Sequence, residues 1–276
     1  MAQGKLVFFG ELLIRLTAPG NELLMQSPLL ALHVGGAEAN VAIGLAHLGH
    51  DCAMVGRVPS NALGRGAVAA VRGGGVDCTA VTTGPGRMGL YFLSVGAGLR
   101  SSEIVYDRAG SSFAATGAED YDWDALLAGA GLLHLSGITP ALGPRSAEAA
   151  LAAARAAKRL GVPISFDGNY RAMLWEAWDS DPRAILSELI GLADILFGNH
   201  RDLSLVLGQE FSGDGEDRRR EAAEAGFAAF PDLRLIASTA RHTVTADHHR
   251  IAARVDVRSG GHQTGEIDVT GIVDRI

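Results

Sequence analysis

Lysine is nearly missing from this sequence: of 276 residues, only Lys5 and Lys158 carry it. That scarcity removes two phosphate-handling schemes. A Walker-type loop needs a lysine directly after its glycines, and the protein-kinase signature needs one on a strand; neither lysine has such a setting. Positive charge is short overall, with 24 Lys+Arg against 31 Asp+Glu and a formal net charge of −7. A nucleic-acid backbone or an anionic membrane surface as main partner would need clustered positive charge, so small molecules are the expected ligands. Cysteine occurs twice, at Cys52 and Cys78, without CxxC spacing. The pair reads as buried small apolar residues in a reducing compartment, not as a disulfide framework or thiolate metal site. The histidines, the His248-His249 pair included, lack metal-ligand spacing with carboxylate or cysteine partners. No run of about 18 apolar residues occurs, and Lys5 and Glu11 interrupt the apolar start. Neither a membrane span nor a signal peptide is expected, and the predicted location is cytoplasmic.

What is present is an alternation of short apolar runs with Ala-rich stretches of helical period, the pattern of a sheet covered by helices on both faces. The class is α/β. Strands are expected at Leu6–Phe9, Cys52–Val55, Gly131–Leu135, Pro163–Phe166, Asp194–Phe197 and Leu233–Ala237, and helices at Ala39–Leu48, Leu63–Arg72, Pro144–Leu160, Pro182–Leu192, Arg201–Leu207 and Glu216–Phe230. The clearest helix starts on Pro144, carries Arg155, Lys158 and Arg159 near its end and stops before Gly161. Residues 87–95 and 102–108 break the rhythm. They alternate apolar and polar residues across a Gly-rich link, which predicts a hairpin with one solvated face, apart from the parallel sheet. With strand-like pieces near 11–16 and 30–34 it would make a small second sheet, a lid.

Four stretches carry chemistry. Gly84-Pro-Gly86-Arg-Met-Gly89 fits GxGxxG but runs into a strand where a dinucleotide fingerprint needs a helix, so it is rejected. Gly35 and Gly36 lead into a helix carrying Asn40; free N–H groups at a start left open by glycine suit a polyhydroxy or anionic ligand, though an ordinary glycine-capped start fits as well. Phe166-Asp167-Gly-Asn169-Tyr170-Arg171 ends a buried strand in polar residues, where open α/β sheets bind ligands. Arg171 could clamp a carboxylate or phosphate, while Asp167 and Asn169 also suit local turn bonds. Phe197-Gly-Asn199-His-Arg-Asp202 opens a helix. An amide and a carboxylate three apart suit the water shell of a Mg²⁺–nucleotide, or equally a helix cap. The hairpin contributes Tyr91, Tyr106 and Arg108, of which Tyr106 and Arg108, two apart on a strand, share a face.

Together these stretches resemble the PfkB (ribokinase-like) sugar-kinase family, and within it most of all the 2-keto-3-deoxygluconate kinases. The motifs are Gly35-Gly36 through Asn40 and Gly49, continuing to Asn61 and Gly64, then Gly89-Leu-Tyr-Phe-Leu93, Val105-Tyr-Asp-Arg108 and Phe166-Asp-Gly-Asn-Tyr-Arg171. The resemblance implies a three-layer α/β/α fold with a mostly parallel central sheet plus a small β-sheet lid, residues 1–276 forming one ribokinase-like domain, incomplete at its C-terminal end, with lid strands at about 11–17, 30–35, 87–95 and 102–108. It implies ATP-dependent phosphorylation of 2-keto-3-deoxygluconate at its terminal hydroxyl by in-line transfer, with Mg²⁺ and a monovalent cation. Substrate contacts carried over are Gly35, Gly36, Asn40, Tyr91, Tyr106, Arg108, Asn169 and Arg171; nucleotide contacts are Asn199, Asp202, Thr239 and Arg241. Asp202 stands where the family has a longer acid. Asp274 is placed in a cation loop, and the lid implies homo-oligomer formation. Val273-Asp274-Arg275-Ile276 matches the family's lead-in to G-x-G-D, whose Asp is the catalytic base. That base is expected just after Ile276, so no catalytic residue is assigned here. Alternatives kept open are a fructokinase-like or other PfkB kinase, and a non-catalytic sugar-binding or regulatory protein if the chain ends at Ile276.

Overall fold

Phe8 and Phe9, adjacent and both fully buried, show how the chain is layered. Neighbouring residues of a strand point to opposite faces, so a strand with two such neighbours must be covered on both sides. A computed structural model describes residues Gly4–Ile272; Asp274 lies outside them. Among the described residues fourteen strands form two sheets. The larger uses β1 (Lys5–Phe9), β4 (Cys52–Pro59), β5 (Val81–Gly84), β8 (Ala130–Ser136), β9 (Ile164–Asp167), β10 (Ile195–Phe197), β11 (Leu235–Thr245), β12 (His248–Val257), β13 (Gly260–Gln263) and β14 (Ile267–Thr270). Its order is β13-β12-β11-β10-β9-β8-β1-β4-β5, with β14 also on β12. From β5 to β11 neighbouring strands are parallel; β12 pairs antiparallel with β11, β13 and β14. The smaller sheet takes β2 (Leu13–Thr17), β3 (Ala31–Gly35), β6 (Gly89–Ser94) and β7 (Glu103–Asp107), in the order β3-β2-β6-β7. The hairpin expected from residues 87–108 is the antiparallel β6–β7 pair.

Six longer helices cover the large sheet: α1 (Ala37–His47), α2 (Ala62–Gly73), α3 (Pro144–Leu160), α4 (Pro182–Leu192), α5 (His200–Leu207) and α6 (Glu216–Ala229). Phe8 joins Met54 and residues of α1 and α2 such as Ala42 and Val71 on one face. Phe9 joins Phe113, Tyr121, Trp123 and the helices α3 to α6 on the other. In α3 seven alanines, Ala147, Ala149, Ala150, Ala153, Ala154, Ala156 and Ala157, are buried; their small size lets the helix lie close over β8 and β9. At the far end of the sheet the two faces differ. Leu196 and Ile236 are buried beside Leu203 and Phe227, whereas Phe197, Val255 and Val257 on the opposite face are exposed.

Most expected elements are present within two or three residues of their expected bounds, and Pro144–Leu160 and Pro182–Leu192 match at both ends. The strand expected at Cys52–Val55 runs on to Pro59, the edge strand β5 was not expected, and the largest departure is the last quarter. A strand was expected only over Leu233–Ala237, but β11 continues to Thr245 and three further strands follow. Their residues alternate buried and exposed, as in β12, and many are polar, so no continuous apolar run marks them.

Candidate active site

The loops that follow β8 and β9 build the floor of a cavity of about 720 Å³, to which the small sheet contributes Leu13, Tyr91, Leu93, Ile104 and Tyr106. Its first contributor is the start of α1. A Cβ on Gly36 would collide with the backbone carbonyl of Glu11, so glycine is required for this close approach, and the approach places Gly36 and Asn40 at the cavity wall. Gly35, expected beside them, is instead paired with Leu13 inside β3 and is not part of the wall. A Cβ on Gly35 would lie behind the wall, in ordinary contact with the Asn40 side chain.

The small sheet supplies Tyr91 and Tyr106, which stand opposite each other in the β6–β7 register with ring centroids 6.4 Å apart. Arg108 follows two residues later, also on the cavity. It is buried, and its Nε donates to Glu11 Oε2 at 2.7 Å. The other Glu11 oxygen accepts the Ser111 hydroxyl, and a Cβ on Gly89 would strike the same carboxylate. Glu11 thus fixes the guanidinium from behind. Its signal in the sequence was a lone acid inside an apolar run, which the family motifs do not include.

From the large sheet come Asn169 and Arg171, both on the wall. Asp167 Oδ1 accepts the Asn169 N–H at 3.1 Å, and Asn169 sits at φ 37°, a left-handed conformation that asparagine tolerates. The turn reading of Asp167 therefore holds, and the turn is what presents Asn169. Burial first, with nearby Asp202 adding to it, pushes the Asp167 carboxyl up to about 6. Arg171 donates Nη1 to the carbonyl of Tyr170 and is exposed. Behind this floor Glu38 is completely buried, accepts the Ser136 hydroxyl at 2.5 Å and leaves Oε2 without a partner. Burial raises its pKa. Ser136 in turn accepts the N–H of Ile138, a wall residue, so this acid supports the floor without reaching the cavity.

A second cavity of about 670 Å³ lies beside the first. Asn199, Thr239 and Arg241 line it, as expected, and Asp202 does not. Asn199 Oδ1 accepts the Arg201 N–H and Asp202 Oδ2 accepts the Asn199 N–H at 2.8 Å, a capping box that opens α5. Of the two readings left open for this pair, the helix cap is the one formed: the Asp202 carboxylate turns back onto the helix start, and burial raises its pKa. Residues without an expected role also line the cavities. Thr243, Thr245, Ala246 and His249 of the β11–β12 hairpin face the first, and His200, Arg219, Arg254 and Glu266 the second. They lie largely on strands that no apolar run announced.

Among the described residues no group of three or more His, Cys, Asp or Glu could hold a metal ion. A Mg²⁺ carried in on nucleotide phosphates keeps several waters and takes one or two carboxylates. Asp214 and Glu266 line the second cavity and could meet that need; Asp256 there is held by Arg254 at 2.7 Å. Among the described residues no helix is long and apolar enough to cross a membrane.

The chain can be set beside known proteins at this point. It is 32% identical over 219 residues to the 2-dehydro-3-deoxygalactonokinase of Haloferax volcanii, covering 79% of this chain and 67% of that protein. It is 34% identical over 223 residues to the 2-dehydro-3-deoxygluconokinase of Thermoproteus tenax, covering 80% of this chain and 66% of that one. The chain thus spans about two thirds of the length of these curated relatives. The crystal structure of the Thermotoga maritima 2-dehydro-3-deoxygluconokinase superposes with a TM-score of 0.92 at 34% identity, over 99% of this chain and 83% of that one. A ribokinase-type structure from E. coli superposes with a TM-score of 0.76 at 17% identity, a likeness of fold alone. The model of the pfkB family carbohydrate kinases matches residues 3–241, and with the ribokinase-like fold and the paired cavities in place, the chain belongs to the PfkB family of carbohydrate kinases.

Proposed function

We propose that this chain carries the sugar-acid and nucleotide half-sites of an ATP-dependent kinase for 2-keto-3-deoxygluconate, the compound also called 2-dehydro-3-deoxygluconate. The observation that carries the reading is the composition of the 720 Å³ cavity: Arg108 and Arg171 beside Asn40, Asn169, Tyr91 and Tyr106, with Arg100 and Arg241 also on its wall. Planar guanidinium forks match a carboxylate, amides and phenols match hydroxyls, and a neutral hexose would give the charge of Arg171, which unlike Arg108 has no carboxylate partner among the described residues, no counterpart. Names of relatives support the same class of substrate, one acting on the gluconate and one on the galactonate epimer.

In this reading the sugar acid lies between Asn40 and Asn169 on the floor and the tyrosines of the small sheet, which closes over it as a lid. ATP enters the neighbouring cavity against Asn199 and Thr239, bringing Mg²⁺ with it. Phosphoryl transfer depends chiefly on holding the two substrates in line and on charge stabilisation. The contribution of these residues is therefore orientation and exclusion of water. The catalytic base, a monovalent cation at Asp274, the cytoplasmic location and lid-mediated oligomers remain part of the proposal on family resemblance.

Calorimetric titration of 2-keto-3-deoxygluconate, its galactonate epimer and fructose tests the substrate class. Both acids bind and fructose does not; preference for the neutral hexose would overturn the reading. Arg171→Ala should raise the sugar-acid Kd by about tenfold or more, the value of a lost charged hydrogen bond, and leave ATP binding within about twofold. Equal losses for both ligands would show that the substrate side is wrongly assigned.

A further inference from the structure

One residue borders both cavities: Arg241. It lies on β11, whose course explains why. The strand begins at Leu235 within the parallel sheet, paired with β10 over Ile195–Phe197, and then runs on as one arm of a hairpin with β12 as far as Thr245. Ser238, Thr239 and Ala240 line the second cavity; Thr243, Val244 and Thr245 line the first. Thr239, Arg241 and Thr243 share one face of the strand, at a repeat of about 6.6 Å for alternate residues. A walk along that face passes from the nucleotide side to the sugar side, with Arg241 at the crossing. The tip of the hairpin is fastened to the small sheet, because Ala246 N–H donates to the carbonyl of Gly98 at 2.8 Å. The wall carrying Arg241 is therefore held at both ends.

The side chain is also available. Arg108 is tied to Glu11, Arg219 to Gly213 and Gln263, and Arg254 to Asp256. Arg241 is exposed and its side chain makes no ion pair or hydrogen bond with a described residue.

Resting on the kinase reading, we propose that Arg241 is a catalytic residue that contacts the transferable terminal phosphoryl group of the nucleotide, where the two cavities meet. For transfer to occur that group must lie at the boundary, with its bond to the β-phosphate oxygen breaking as the sugar's terminal hydroxyl oxygen bonds to phosphorus. The hydroxyl proton goes to a base, and ADP leaves with the electron pair of the broken bond. A guanidinium at the crossing meets charge on the equatorial oxygens throughout, the role for which a planar, permanently charged fork is suited.

The test separates ATP from ADP on the chain as it stands, by calorimetry with the β,γ-imido analogue of ATP, ADP and 2-keto-3-deoxygluconate. Arg241→Ala should weaken the analogue by about tenfold and leave ADP within about twofold. Arg241→Lys should recover part of the loss, since it restores charge without the fork. Equal weakening of analogue and ADP would place Arg241 on the inner phosphates or the base, and no change in either would remove it from the site; both outcomes overturn the assignment. If the unaltered chain bound sugar acid but neither nucleotide, the kinase reading and the assignment would fall together. Retention of nucleotide discrimination by Arg241→Ala would sink the assignment alone.

Discussion

Asp167 and His134 lie on neighbouring strands of the large sheet and titrate against each other. Burial holds the Asp167 carboxyl at about 6 and the His134 imidazole down at about 4. His134 packs against Phe8 and shares a hydrogen bond with Ser165. For Asp167 the folded protein holds its proton more firmly than the unfolded chain does, so its contribution to stability is present below pH 4 and is lost as pH rises toward 6. For His134 the unfolded chain binds the proton more firmly, so stability is lost as pH falls from about 6.5 toward 4. Each effect amounts to roughly 3 kcal/mol at full extent, and in the window between pH 4 and 6 they offset. Asp167→Asn keeps an oxygen for the Asn169 N–H and removes one of the opposing titrations. Its urea unfolding free energy should therefore rise with pH between 4 and 6.5 more steeply than that of the parent protein. Parallel pH profiles for the two proteins would show that Asp167 titrates near its ordinary value.

At the scale of elements, the junction that matters most to the cavity is the contact of α1 with the loop between β1 and β2. A Cβ on Gly36 meets the backbone carbonyl of Glu11, and a Cβ on Gly10 would strike the buried Glu38 side chain of the same helix. Backbone cannot give way as a flexible side chain can, so Gly36→Ala must push α1 outward and carry Asn40 with it. Its expected cost is about 1–3 kcal/mol in stability with a sugar-acid Kd raised at least about fivefold; Gly35→Ala, off the wall, should leave sugar-acid binding within about twofold. Titration calorimetry on both variants checks the contrast. The same junction shows what could be read from residues alone. Paired glycines before a helix announced a close approach, and FDGNYR announced a polar loop at a strand end, so seven of the eight expected sugar contacts do line one cavity. Glu11 and Glu38 were not legible as supports, because their partners are about a hundred residues away, at Arg108, Ser111 and Ser136. Nor was the β11–β12 hairpin, whose half-exposed alternation has no apolar run to mark it.

Across the whole molecule, Glu11 is a buried junction between the two sheets. It lies between β1 of the large sheet and β2 of the small one, and grips Arg108 at the exit of β7. Both partners are almost entirely buried, so removing one leaves the other's charge without compensation, a loss of about 3–5 kcal/mol. The exposed ion pairs, such as Arg155–Glu188 and Arg159–Asp124, lie on the outer face of α3 and should each contribute about 1 kcal/mol or less. Glu11→Ala should therefore loosen the attachment of the small sheet specifically. Two measurements distinguish this from a general loss of stability. All three tryptophans, Trp123, Trp175 and Trp178, belong to the body around the large sheet, so fluorescence follows that body. Proteolysis within residues 96–102, the link between β6 and β7, follows the small sheet. The variant should be cleaved in the link at least about tenfold faster, in keeping with a loss above 1.4 kcal/mol, while its fluorescence transition in urea moves much less than the ion-pair loss alone would require. Equal displacement of both would mean that the sheets unfold as one cooperative unit, with Glu11 acting as an ordinary member of its core.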